Sequence, residues 1–428
     1  MVMRPPVFLD HLSATPVDLR VFEAMKPYFT EAFGNPSSLH RYGLQVREAL
    51  QKARTQFVSL IGADSPDDIL FTSGGTEANN LAVKGVAYAN QRKGNHLVLG
   101  ETEHPSVLES VAFLEKNGFA STKVPVDSQG ILRLDKLREA ITDKTILISV
   151  HHANHDIGAI QPVAEIGKIA AERGIAFFCD ATASAGWAPI DVKAMGIHLL
   201  SFAPHRFYGP KGVGVLYRNR KARLVSILHG GVQENGRRAG TENVPAIVGG
   251  GLAADLARKE LPQRAAKVQA LQKRLMDGLS AKIPYLKFNG PPSGPLRIPT
   301  NVSLATEFIE GEGQLLLLDH LGVCVASGGS CVSKSLKVSH VLTAIGLDHA
   351  LAQGSIIMTL GKENTEEEMD YVIETMAKVV EKLRGMSPMW DEFQQEKIDS
   401  TVAPRGIGKS FTEHAARVSG HREERAAR

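Results

Sequence analysis

The sequence predicts an α/β fold, and three observations carry that prediction. Short apolar runs suited to buried strands recur at Asp68–Thr72, His96–Gly100, Ile146–Val150, Ala176–Asp180, Leu199–Ala203 and Val213–Tyr217. Helical patterns, among them Glu77–Ala89 and Val163–Arg173, lie between several of them. Alternation of this kind argues for a mostly parallel sheet covered by helices on both faces. Finally, 428 residues exceed what one core usually organises, so a large and a small domain are expected.

Each element has a local reason. Phe33-Gly34-Asn35-Pro36-Ser37-Ser38 reads as a turn feeding a helix N-cap. Ser73-Gly74-Gly75-Thr76-Glu77 follows a strand and opens a helix. Glycines there let the backbone come close, and the free N–H groups of a helix start favour an anion, although a plain strand–turn–helix would look the same. Arg264–Ala281 reads as a long helix leading into a smaller α+β domain that ends near Arg384. The expected division is 1–15 as an N-terminal segment of the small domain, 16–260 as the large domain, 261–384 as the small domain and 385–428 as an extension. The extension holds Trp390 and Phe393 before a polar, arginine-rich end. It reads as a partly disordered appendage or as a docking segment.

Composition excludes several classes. A hydrophobic content of 43% with 22% charged residues suits a soluble globular protein. A formal charge of +3 implies neither a nucleic-acid nor a membrane partner. Three cysteines, Cys179, Cys324 and Cys331, make no disulfide framework, which fits a reducing cytoplasm. No signal-peptide core stands at the N-terminus and no apolar run reaches about 18 residues. A cytoplasmic protein is expected.

Ser201-Phe-Ala-Pro-His-Arg-Phe-Tyr-Gly-Pro-Lys-Gly212 resembles the Ser-X-Ser-X-His-Lys-X-Tyr-Gly-Pro-Lys-Gly segment of cysteine desulfurases of the NifS/IscS type. Leu9–Asp18 resembles the opening of the same family, and the resemblance runs to the end of the small domain. It implies the fold of pyridoxal 5′-phosphate (PLP)-dependent transferases of the aspartate aminotransferase-like class V, as a homodimer. By resemblance, Gly75 and Thr76 match the cup for the cofactor phosphate. His205 and Thr241 match further phosphate contacts, the threonine reaching in from a second subunit. His104, in Thr102-Glu103-His104, matches the histidine that stacks on the pyridine ring and moves protons. Asp180 matches the partner of the pyridine nitrogen. Cys331, in Ala326–Ser333, matches the thiol that carries sulfur as a persulfide.

The departures concentrate in the same pocket. Arg206 stands where the family's lysine forms a Schiff base. Arginine stays protonated, with a pKa above about 12, and offers no amine for that bond. His155 replaces an asparagine and Ala183 a glutamine, both partners of the cofactor's phenolic oxygen. Ala203 replaces a phosphate-binding serine, and Ile357 replaces the arginine that grips the substrate carboxylate. Isoleucine cannot make that charge-assisted contact. The expectation is therefore a degenerate desulfurase homologue acting in sulfur transfer or iron–sulfur cluster assembly through Cys331. A sulfur donor or acceptor protein, such as an iron–sulfur scaffold, would be its partner. One alternative is an enzyme holding PLP or its amino form without a covalent bond, with His104 or His155 as acid and base. Another is a structural partner of an active desulfurase.

Cys331 is also a candidate ligand for a metal or nascent cluster. His104, His151, His152, His155 and His205 could add imidazoles, but no His-X-X-His or Cys-X-X-Cys spacing supports this. Cys179 and Cys324 sit in apolar runs and are expected in the core.

Overall fold

The computed structural model describes residues 5–327 and 338–402. Its centre is a seven-stranded sheet built from β2 (Ile69–Thr72), β3 (His96–Gly100), β4 (Ala120–Val124), β5 (Thr145–Ser149), β6 (Ala176–Asp180), β7 (Leu199–Phe202) and β8 (Gly214–Arg218), following the two-residue N-terminal strand β1 (Val7–Phe8). The order is β2-β8-β7-β6-β5-β3-β4, and β8 alone runs antiparallel to its neighbours. Alternate residues feed two cores on opposite faces. Phe71, Val98, Ile148, Phe177 and Leu200 enter one, while Leu70, Leu97, Leu147, Phe178 and Leu199 enter the other. Strand β4 escapes the sequence pattern because Ala-Ser-Thr-Lys-Val is an edge strand with only Val124 fully buried.

The smaller sheet is antiparallel, with β10 (Asn301–Thr306) between β9 (Leu286–Phe288) and β12 (Ser355–Thr359). Strand β1 pairs in parallel with β11 (Val323–Cys324), so the N-terminal segment lies beside the elements that follow residue 282.

One helix, Val244–Lys282, serves both parts. Its first half gives Ala246, Ile247, Ala253 and Ala254 to the core of the large sheet. Its second half gives Val268, Leu271, Leu275 and Leu279 to the core of the small one. The expected helix began at Arg264, whereas the helix starts at Val244 and runs through Gly249-Gly250-Gly251 and Pro262. The glycines permit contact. A Cβ on Gly250 would lie 2.9 Å from Pro204 Cγ, and one on Gly251 would lie 2.8 Å from Ala53. Glycine lowers helix propensity, but here it lets the helix press on the Pro204 turn and on the helix Arg41–Ile61.

The extension also departs from expectation. A helix, Pro388–Val402, begins it. Trp390 and Phe393 pack on Tyr285 and Phe308, with ring centroids 4.7 to 5.9 Å apart. The Arg384 guanidinium lies 4.8 Å from the Trp390 ring. Residues 388–397 of the extension are thus packed against the small domain; residues 403–428 lie outside the described part.

Candidate functional site

The carboxyl ends of β2, β3, β5, β6 and β7 open on one side of the sheet, where α/β proteins bind ligands. Ser73–Gly75 leaves β2, His104 caps the helix after β3, and His151–Asp156 leaves β5. Asp180 ends β6, and a single 3₁₀ turn, Pro204–Arg206, follows β7.

Asp180 is held from two sides. Thr182 N–H donates to Oδ1 at 2.8 Å, and Asn79 Nδ2 donates to Oδ2 at 2.7 Å. Asn79 also donates to Ser106 Oγ at 2.8 Å and accepts from Ser201 Oγ. Ser106 in turn meets His104, with its N–H donating to Nδ1 at 3.2 Å. A ring nitrogen that accepts cannot carry the proton, so neutral His104 presents an Nε2–H donor. Burial pushes the His104 pKa down; Asp180 opposes this and the Arg206 guanidinium adds to it.

His155 lies edge-on to His104, ring centroids 5.1 Å apart, and 6.4 Å from His340. Burial lowers its pKa well below the usual value, with His104 and the other neighbouring cations acting in the same direction. His340 was not anticipated. Its Nε2 stands 3.0 Å from the Glu103 carbonyl, which can only accept, so His340 presents a bare Nδ1. Beneath them the fully buried Glu103 lies 2.8 Å from His151 Nδ1 and accepts the His151 backbone N–H at 2.9 Å. Burial raises the Glu103 pKa against the pull of His151. The density of histidines hinted at this cluster, but no spacing placed His340 in it.

His152 turns away to Ser184 Oγ at 2.9 Å, and burial lowers its pKa to about 4. His205 is similarly lowered to about 4 by burial, then by Arg206 and Lys211; its carbonyl accepts from Thr15. Arg206 follows it, and its carbonyl accepts from Trp187 Nε1 at 3.0 Å. Among the described residues no three His, Cys, Asp or Glu side chains converge as metal ligands. Cys331 lies outside those residues, but both flanks of its segment are seen. Ala326 bridges Ile357 through two backbone bonds of 2.9 and 2.7 Å, and Ser339 Oγ donates to Asp156. Burial pushes Asp156 up to about 6. Cys179 is core as expected, whereas Cys324 is only half-buried, with Sγ 3.7 Å from Asp319.

At Gly75 the fit to an anion is physical. No side chain caps the start of its helix, and Thr182 Oγ1 is buried without a partner. A Cβ on Gly75 would lie 3.1 Å from that hydroxyl. Thr76 is exposed at the same turn, and Thr241 is exposed on a loop lining a cavity of about 230 Å³ with Ser73 and Arg238. The helix start, the orphan hydroxyl and Asp180 fit a phosphorylated pyridine; position 206 does not fit its covalent attachment.

Residues 7–372 match the family described as Aminotransferase class-V. The chain is 45% identical over 395 residues to the cysteine desulfurase IscS of Clostridium botulinum, covering 92% of this chain and 99% of the relative. It is 47% identical over 383 residues to the IscS of Methanosarcina thermophila, covering 90% and 94%. A solved NifS-like protein superposes with a TM-score of 0.82 at 33% identity, covering 88% of this chain and all of the other. With sequence and fold in agreement, this chain belongs to the class V aminotransferase family, among relatives named cysteine desulfurase.

Proposed function

We propose that this chain is a cysteine desulfurase homologue that handles sulfur, in transfer or iron–sulfur cluster assembly, without Schiff-base chemistry of its own. The observation that carries this reading is Arg206. A guanidinium stands where an amine is needed, beside a retained ring-nitrogen partner and an anion cup that lacks the serine replaced by Ala203. Cys331 would accept sulfur from a partner and hand it on. The pairing of Ala326 with Ile357 supports this, because one end of the cysteine segment is then tied to the position that the resemblance assigns to substrate binding.

The same reading takes the chain as a cytoplasmic homodimer divided near residues 15, 260 and 384. In it the exposed Thr241 would serve a second subunit. Exposed apolar side chains between Leu19 and Leu44, such as Phe29 at 62% and Leu39 at 84%, support an association face. Among the described residues no helix is long and apolar enough to cross a membrane.

A second reading is favoured by the His104 tautomer. If PLP or its amino form is held non-covalently, the helix start at Gly75, Thr76 and His205 would hold the phosphate and Asp180 the ring nitrogen. The cofactor would supply an electron sink. His104 would then offer Nε2–H as the acid and His340 Nδ1 as a base, with His155 between them.

The deciding experiment incubates the protein with an active desulfurase and cysteine and maps added sulfur by mass. Extra sulfur on Cys331, and none on Cys179, is expected. An unlabelled, alkylation-resistant Cys331 that binds no iron after anaerobic purification would overturn the sulfur reading.

A further inference from the structure

Strand β2 is an edge of the large sheet, and its chain runs directly into Gly74 and Gly75. An edge strand presents a row of unpaired backbone groups. Here three backbone groups along this edge are each taken by a charged side chain. Arg54 donates to the Ile69 carbonyl, Glu234 accepts the Phe71 N–H at 2.9 Å, and Glu77 accepts the Ser73 N–H at 2.8 Å. Each carboxylate has its own arginine. Arg54 reaches Glu234 and lies 4.3 Å over the Phe71 ring, and Arg238 grips Glu77 at 2.8 and 3.3 Å.

The geometry is built at a cost. Glu234 and Asn235 both adopt left-handed backbone, with φ of 48° and 56°. Non-glycine residues are uncommon there and persist where surroundings over-determine them. Glu77 poses a second problem, since it sits in the first turn of the helix whose start would receive an anion. A bare carboxylate there repels an anion. Burial works against its charged form, but hydrogen bonds from Arg238 and Ser73 keep its pKa below the ordinary value. Arg238 therefore both orients Glu77 and neutralises its field.

We infer that the Glu234–Arg54 and Glu77–Arg238 pairs are positioning elements for anion binding at Gly75–Thr76, fixing β2 so that the helix-start amides are pre-aimed. This rests on the reading of that turn as an anion cup. Preorganised donors bind more tightly because less ordering remains to be done on association.

The test measures inorganic phosphate binding to the full-length protein by calorimetry, with amide resonances of Gly75 and Thr76 followed at saturation. Glu234→Gln should weaken phosphate by about threefold to tenfold, and Glu77→Gln, which also removes a negative charge beside the cup, by less. Arg238→Ala should weaken it more than Glu77→Gln, because it leaves an unneutralised carboxylate beside the cup. The double variant Glu77→Gln/Arg238→Ala should recover to the level of Glu77→Gln alone. A purely structural role would not give that recovery, nor shift the Gly75 and Thr76 amides in the bound state. Should a glutamine variant fail to fold, Arg54→Lys and Arg238→Lys keep the charge and lose the planar fork. They should give smaller losses in the same order. No phosphate binding by the unmodified protein overturns the anion reading and this inference together. Phosphate binding that is unchanged across the variants overturns this inference alone.

Discussion

In the pocket Asp180, Asn79, Ser106, Ser201 and His104 form a continuous chain of hydrogen bonds, every member fixed by at least one other. Outside that chain stand His155, edge-on to His104, then Ala183, three residues after Asp180, and Ile357 on the smaller sheet. The His155 ring makes no hydrogen bond among the described residues, Ala183 has no polar side-chain group to offer, and Ile357 is a buried apolar side chain. The first group holds Asp180, His104 and Ser201, which the desulfurase resemblance leads one to expect, and the second holds departures. Mutual dependence explains the contrast. A change at Asn79 removes three buried hydrogen bonds at once, whereas a change at 155 or 183 removes none.

Acid should break both groups together and gives the largest expected effect. His11, His152 and His205 are each held at about 4 by burial, so below pH 6.5 the unfolded chain binds more protons than the folded one. Stability then falls as pH drops from 6.5 toward 4. Asp156, raised to about 6, acts in the opposite direction between about 4 and 6, as does buried Glu103, but His104 and His155 are lowered too and the histidines outnumber the carboxyls. A net loss of several kcal/mol, on the order of one pKa unit per histidine, is expected by pH 4.5 in urea unfolding series. Flat stability across this range would show that the pocket histidines are solvated.

Asn79→Ala should come next, at about 3 kcal/mol, since each buried partner left unsatisfied costs on the order of 1 to 3 kcal/mol. Its counterpart outside the chain, His155→Asn, should change stability by less than about 1 kcal/mol. Comparable losses for the two would dissolve the distinction. Smallest of all is the gain expected from Arg206→Lys. An amine is restored, but Ile357 and Ala183 remain, so sulfide release from L-cysteine should stay at background. Borohydride treatment of the unsubstituted protein with PLP, followed by peptide mapping, should likewise leave positions 206 and 211 unlabelled.

Much of this was legible in the sequence. The strands showed because β3, β5, β6 and β7 are short apolar runs buried on both faces. Strand β4 did not show, because an edge strand half-facing water alternates weakly. The helix Val244–Lys282 was cut short because its glycines answer to Pro204 and Ala53, residues far away in the chain. Within the pocket, Asp180, His104 and Gly75 came from motifs. His340 and the Glu77–Arg238 pair could not, since a ring set by a distant carbonyl and an ion pair across 161 positions leave no local pattern.

The chain has two tryptophans, and the fold has set them at separate posts. Trp187 bonds the carbonyl of Arg206, while Trp390, in the helix Pro388–Val402, packs at a tilt against Phe308. Indole emission shifts with polarity and with nearby charge. The unlabelled protein thus carries one optical reporter for events at position 206 and another for detachment of the helix. Replacing either tryptophan with phenylalanine leaves the other to be read alone.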